Sequence, residues 1–258
     1  MFQSIGLTEL IVIIVVLVVL FGGGWFARAG REAGQKVRKK VLAAKWVYTS
    51  ATGTNSKALL AEREYGQEAA NEFASEYDDV VAEAKQVLVA RLGASLSQQH
   101  KTPWPLSYRV VAAPEINAYA LPGGFIFISE RLLDVFGEDH DAVAFVLAHE
   151  MAHVVLGHAR DALERGLLLA GVTAKAAGLG NSIRALIMQG YSRDDELAAD
   201  KYGVSLMKKA GFDSGGATRT LTLLGRLSPL ELGPLEYLSS HTPANERLSN
   251  IGGQPSLT

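Results

Sequence analysis

Apolar residues are distributed unevenly along this chain, and each pattern predicts a different element. From Ile5 to Phe21 they are nearly continuous, broken only by Gly6, Thr8 and Glu9. Roughly 20 apolar residues cross a hydrocarbon core of about 30 Å, so 1–25 is read as a transmembrane anchor. After Gly22-Gly23-Gly24 the spacing becomes helical. Phe26, Ala29, Ala33, Val37, Val41 and Ala44 return every three or four residues with basic residues between them, which predicts an amphipathic helix over 26–48. A small, polar linker follows over 49–56, then a folded domain over 57–252 and a tail over 253–258. Within the domain, Lys57 to Gln99 carries apolar returns that predict one or two amphipathic helices, and Pro103 and Pro105 end the pattern. Leu106 to Ala112 alternates as a strand. Ala118 to Ser129 reads as strand, Leu121-Pro122-Gly123-Gly124 turn, strand.

Charge changes this picture only locally. The net charge of −2 gives no reason to expect nucleic acid as a partner. Between Arg28 and Lys45, however, Arg28, Arg31, Lys36, Arg38, Lys39, Lys40 and Lys45 face Glu32 alone. That excess follows the apolar run and no basic residue precedes it, which places the domain in the cytoplasm of a single-pass cell-membrane protein. The alternative is a cleaved signal peptide, with Ala27-Arg28-Ala29 as the cleavage site and export to the periplasm. The absence of cysteine excludes disulfides, thiolate metal sites and cysteine nucleophiles.

The first 45 or so residues resemble the TatA family of twin-arginine translocation components. Glu9 near the start of the apolar helix, the Phe21-Gly22 hinge and the basic amphipathic helix carry the likeness; the proline that follows the hinge glycine in that family is missing. The resemblance implies a similar placement, with membrane lipid and membrane-protein complexes as candidate partners, and not a translocation role.

The chemistry is concentrated at His149-Glu150-Met151-Ala152-His153, an H-E-x-x-H pattern on a predicted helix. Residues i and i+4 share a helix face, so His149 and His153 can offer imidazole nitrogens to one Zn2+ while Glu150 stands beside them as the base that activates water. Catalytic zinc sites take a third protein ligand and leave one position open. Ser192 to Asp200 supplies it: Glu196 as ligand, and Asp200 one turn later to accept the remaining ring N–H of His149 and fix its tautomer. Without the preceding motif the same pair would read as a solvated acidic face. His241, in Ser239-Ser240-His241-Thr242-Pro243, is either a donor to a reacting oxyanion or the occupant of the fourth zinc position at rest. Arg247 would assist the same charge or pair with a surface acid. His158, five residues past His153, falls off the metal face of a continuous helix and is read as a helix-end or packing residue; His100 and His140 read as incidental.

Together with Asn117-Ala118-Tyr119-Ala120-Leu121-Pro122-Gly123-Gly124, these motifs resemble the membrane-associated gluzincin peptidases of the HtpX, BepA and CAAX-prenyl protease family, over roughly Leu59 to Ile251. The resemblance implies an α+β, mainly helical, zincin-like domain with a small antiparallel sheet. It implies that Asn117 and Ala118 border the substrate cleft, and that an edge strand aligns protein or peptide substrates beside the zinc. Several family members have multiple spans, whereas this sequence has one convincing span; Leu167 to Met188 is apolar but interrupted by Lys175, Asn181 and Arg184, and is expected to be a helical hairpin shielding the cleft. The expected function is that of a membrane-anchored zinc metalloendopeptidase in protein quality control. The rival is a metal-stabilised chaperone or scaffold, in which Glu150 would have no use.

Overall fold

The structure is a computed structural model that describes residues 54–77, 80–162, 164–166, 190–227 and 241–252, together with 34, 38, 41–46 and 48–50. The expected anchor (1–25), the apolar stretch 167–188 and the tail 253–258 lie outside the described residues. Among the described residues no single helix is long and apolar enough to cross a membrane. The chain divides into two compact units, Met1–Lys45 and Trp46–Thr258. In the first, the described positions 34, 38 and 41–45 are helical, and Val41 is exposed. The second begins at Trp46, ahead of the expected domain start at 57, because Trp46 is buried against Tyr65 with ring centroids 5.3 Å apart.

In order, the second unit comprises α1 (Asn55–Ser75), α2 (Glu83–Ser97), β1 (Ser107–Val111), β2 (Ala118–Leu121), β3 (Phe125–Ser129), α3 (Glu130–Phe136), α4 (His140–Val155), α5 (Arg193–Ala210), α6 (Gly215–Arg226) and α7 (Ala244–Asn250). The α+β, mainly helical class expected from the sequence holds. The sheet is mixed rather than antiparallel: its order is β1-β3-β2, β2 pairs antiparallel with β3, and β1 runs parallel to β3. Alternation along a strand reports which face is buried and carries no information about the direction of its neighbour. The β2–β3 hairpin was legible for another reason. Gly123 and Gly124 take φ of 78° and 91° in its turn, a conformation that side chains resist. Helix α1 clamps that turn: Glu62 accepts from the Gly123 N–H at 3.1 Å, Arg63 donates to its carbonyl, and Gly66 lets the helix approach Pro122.

The two edges of the sheet differ. On β1, the Gln86 side chain of α2 donates to the Tyr108 carbonyl at 3.0 Å and accepts from Val110 N–H at 2.9 Å, imitating a neighbouring strand. The other edge, β2, packs on α4. Helix α4 is apolar on every side, with Val143, Phe145, Val146, Leu147 and Met151 all buried, which marks it as the central core helix. Asp139 starts it by accepting from Ala142 N–H at 3.1 Å.

Helix α5 lies along α4, and its ends are written in the sequence. Ser192 and Asp195 form a capping box, Gly211 closes the C-terminus with φ 83°, and acidic and basic residues occupy the first and last turns where the helix dipole favours them. The pair can approach closely because α5 carries Gly203 at the crossing, where a Cβ would stand 3.2 Å from the backbone nitrogen of His149.

Candidate metal centre

Because α4 is the core helix, its motif is delivered to the interior. His149, Glu150 and His153 are at most 2% exposed, and Glu196 and Asp200 from α5 are wholly buried. The Nε2 atoms of His149 and His153 stand 3.1 Å apart. The Glu196 carboxylate reaches both, with Oε2 3.5 Å from His149 Nε2 and Oε1 3.3 Å from His153 Nε2. His241 brings Nδ1 to 2.9 Å from Glu196 Oε2, and the ligand atoms of all four residues lie within 4.8 Å of one another.

These separations fit a tetrahedral zinc ion. Donors bonded at 2.0–2.1 Å with tetrahedral angles stand about 3.3 Å from each other. Charge fits as well. With neutral imidazoles, the buried carboxylates of Glu150, Glu196 and Asp200 face one guanidinium, that of Arg247, which is the one arginine buried among the described residues, leaving a deficit of two positive charges among these groups. A third observation concerns Glu150, whose Oε2 is buried without a hydrogen-bond partner among the described residues. Burying an unpaired carboxylate oxygen is costly, and its orphan state beside a donor cluster is what a base awaiting a substrate requires.

The far sides of the ligands are tied down. His149 Nδ1 lies 3.0 Å from Asp200 Oδ1, the contact expected from the i, i+4 spacing. Arg247, on α7, is buried rather than on the surface, and its guanidinium reaches the donor atoms, with Nη1 3.7 Å from Glu196 Oε2 and Nη2 3.3 Å from His149 Nε2. It is 1% exposed and grips both Asp200 oxygens, with Nε 3.0 Å from Oδ2 and Nη2 2.7 Å from Oδ1; its Nη2 also lies 3.1 Å from His149 Nδ1. Breaking such a buried pair by removing one partner costs about 3–5 kcal/mol. Asn117, at the start of β2, is 1% exposed; its Oδ1 accepts from Ala118 N–H at 2.9 Å, while its Nδ2 has no partner among the described residues.

Two further residues pack against the His153 ring. Tyr191 stacks on its ring at 3.7 Å between centroids and donates its hydroxyl to the Ala120 carbonyl of β2 at 3.2 Å. His158 places Nδ1 3.1 Å from His153 Nδ1. The signal for the second contact was Gly157. Helix α4 ends at Val155, and Gly157, at φ 83°, turns the chain so that His158 returns to His153 instead of continuing away.

The electrostatics separate the groups when no ion is bound. Burial pushes the Glu150 carboxyl above its usual range. Burial acts the same way on Glu196, but His241, His149 and His153 hold it well below. Asp200 feels that burial too, yet Arg247 and His149 bring it to about 2. Burial drives His153 down to about 3. For His149 burial and Arg247 act downward, and the contacts with Asp200 and Glu196 outweigh them and raise it to about 9.

Comparison with known proteins agrees with this geometry. The family model described as peptidase family M48 matches residues 82–254, and that of the mttA/Hcf106 family matches residues 2–39. The metalloprotease YcaL of Escherichia coli K12 is 29% identical over 161 residues, covering 57% of this chain and 61% of that protein. The mitochondrial metalloendopeptidase OMA1 of Arabidopsis thaliana is 32% identical over 154 residues, 57% of this chain and 31% of its own length. A putative beta-barrel assembly-enhancing protease of Vibrio cholerae is 29% identical over 191 residues, 67% of this chain and 39% of its own. The chain therefore spans less than two thirds of the length of these relatives.

If the ligands converge because α5 can touch α4 at Gly203, adding one methyl there should spread them. Alanine raises helix propensity by about 1 kcal/mol, but its Cβ would stand 3.2–3.4 Å from the backbone of Ala148 and His149, which must shift by a few tenths of an ångström to admit it. Gly203→Ala should lower the melting temperature and weaken zinc binding in a chelator competition. Unchanged zinc affinity would show that the close crossing does not set the site.

Proposed function

The chain belongs to peptidase family M48, and from that premise we propose that it is a membrane-held zinc endopeptidase whose ion is bound by His149, His153 and Glu196. The observation that carries this reading is the buried, unpartnered Glu150 oxygen beside three donors at tetrahedral spacing. When bound, zinc supplies Lewis acidity, polarising a peptide carbonyl and acidifying water. Glu150 takes the proton of the attacking water and passes it to the amine nitrogen as the C–N bond breaks. Its raised pKa, caused by burial, moves it toward the range in which one group can do both. Asp200 fixes His149 in the tautomer that leaves Nε2 free for the ion, and Arg247 is assigned to holding Asp200 in place.

Substrate is proposed to lie extended along β2. Of the two sheet edges, β1 is already satisfied by Gln86, whereas β2 packs against the metal helix. Asn117 Nδ2 and the edge groups of Ala118 and Ala120 would bind its backbone, with Tyr191 withdrawing from the Ala120 carbonyl to admit it. Backbone pairing gives affinity with little sequence selectivity, which suits the removal of damaged or unassembled proteins.

His241 belongs, on this reading, to the resting state. Four protein donors leave no open position for water, so its place within the cluster makes it the residue that closes the site until substrate displaces it. For the remainder of the chain we propose an anchor over 1–25, an interfacial helix over 26–48 and a cytoplasmic peptidase unit. The likeness of residues 2–39 to the mttA/Hcf106 family and the basic residues from Arg28 to Lys45 support that arrangement.

Two substitutions separate these roles. Glu150→Gln should retain one zinc per chain and lose casein-cleaving activity by about 10²–10⁴-fold; retained cleavage would remove Glu150 as the base. His241→Ala should raise basal cleavage if the residue closes the site. A comparable loss of activity would instead make it the oxyanion donor.

A further inference from the structure

Catalytic use of His153 requires that its ring be held, and the partner that holds it is not a carboxylate. We propose that His158 is the positioning residue for His153, tied in turn to Asp195, so that one chain of contacts couples the α4 ligand to the first turn of α5. The inference rests on the reading above that His153 binds zinc through Nε2.

With Nε2 turned toward His149 and Glu196, the ring hydrogen of His153 must be on Nδ1. The only ring atom of His158 within reach is its own Nδ1, at 3.1 Å, which must therefore be the acceptor. That fixes His158 as the neutral tautomer with its hydrogen on Nε2, the atom that faces Asp195 Oδ1 at 3.5 Å. The other Asp195 oxygen is already engaged, since Oδ2 accepts from Ser192 N–H at 3.2 Å as half of the capping box. One carboxylate thus starts the helix and faces the histidine pair, one residue before the ligand Glu196. The two α4 imidazoles are held by different means: His149 by a buried carboxylate with its own arginine, His153 by a neutral imidazole. A neutral acceptor adds no charge to the site, in which carboxylates already outnumber cations. It still raises the basicity of Nε2 and holds the plane of the ring that stacks on Tyr191.

The geometry of amide side chains gives a direct test. The terminal atoms of asparagine coincide with the Nδ1 position of histidine and those of glutamine with Nε2. In the full-length protein, His158→Asn keeps an acceptor for His153 and drops Asp195, whereas His158→Gln keeps Asp195 and drops His153. Zinc affinity, measured by competition with a chromogenic chelator, should fall about 10–100-fold in the glutamine variant, the usual effect of removing a ligand's partner, and stay within about threefold of the parent protein in the asparagine variant. Equal affinities in the two variants, whether both intact or both weakened, would overturn the proposal. A His153→Ala control tells the two levels apart: if it binds zinc as tightly as the parent, the ligand assignment itself fails.

Discussion

Placing ionisable groups where water cannot reach them is the constraint on which the remainder of this structure depends. His149, Glu150, His153, Glu196, Asp200 and Arg247 are all at most 2% exposed, and a buried charge without a partner costs several kcal/mol. Most of these groups therefore have a partner already in place. Asp200 is gripped by Arg247, His149 rests on Asp200, His153 on His158, and Glu196 lies among three imidazoles. What remains is an excess of negative charge and one orphaned carboxylate oxygen. A bound divalent cation offsets the first; the second is left for chemistry.

The fold serves this arrangement by dividing the work between a helix pair and a sheet. The α4–α5 crossing, closed at Gly203, sets the ligand separations. The sheet contributes an edge. Its outer strand β1 is sealed by a glutamine that mimics a neighbour, while β2 borders the metal helix, where Tyr191 bridges from the His153 ring to the Ala120 carbonyl. One tyrosine thus touches both a proposed ligand and the edge strand.

Much of this was legible in the sequence because the determining signals are local. Two histidines at i, i+4 identify a face, Ser192 and Gly211 mark where α5 starts and stops, and Pro122-Gly123-Gly124 leaves little choice but a turn. Long-range arrangement was not legible. The parallel pairing of β1 with β3 has no trace in the alternation of Leu106 to Ala112. The division of Lys57 to Gln99 into α1 and α2 occurs with neither proline nor glycine at the break. Nothing near Arg247 in sequence indicates that Asp200 is its partner. The return of His158 to His153 depends on the positive φ of Gly157, two residues past the end of the helix.

The central claim is that His149, His153 and Glu196 bind one zinc ion between α4 and α5. X-ray absorption at the zinc edge, combined with metal quantification on the purified protein, tests it most directly. The account predicts one zinc per chain in a shell of nitrogen and oxygen at about 2.0–2.1 Å with the outer scattering of at least two imidazoles. Substoichiometric metal, or a shell of oxygen alone without imidazole scattering, would contradict it.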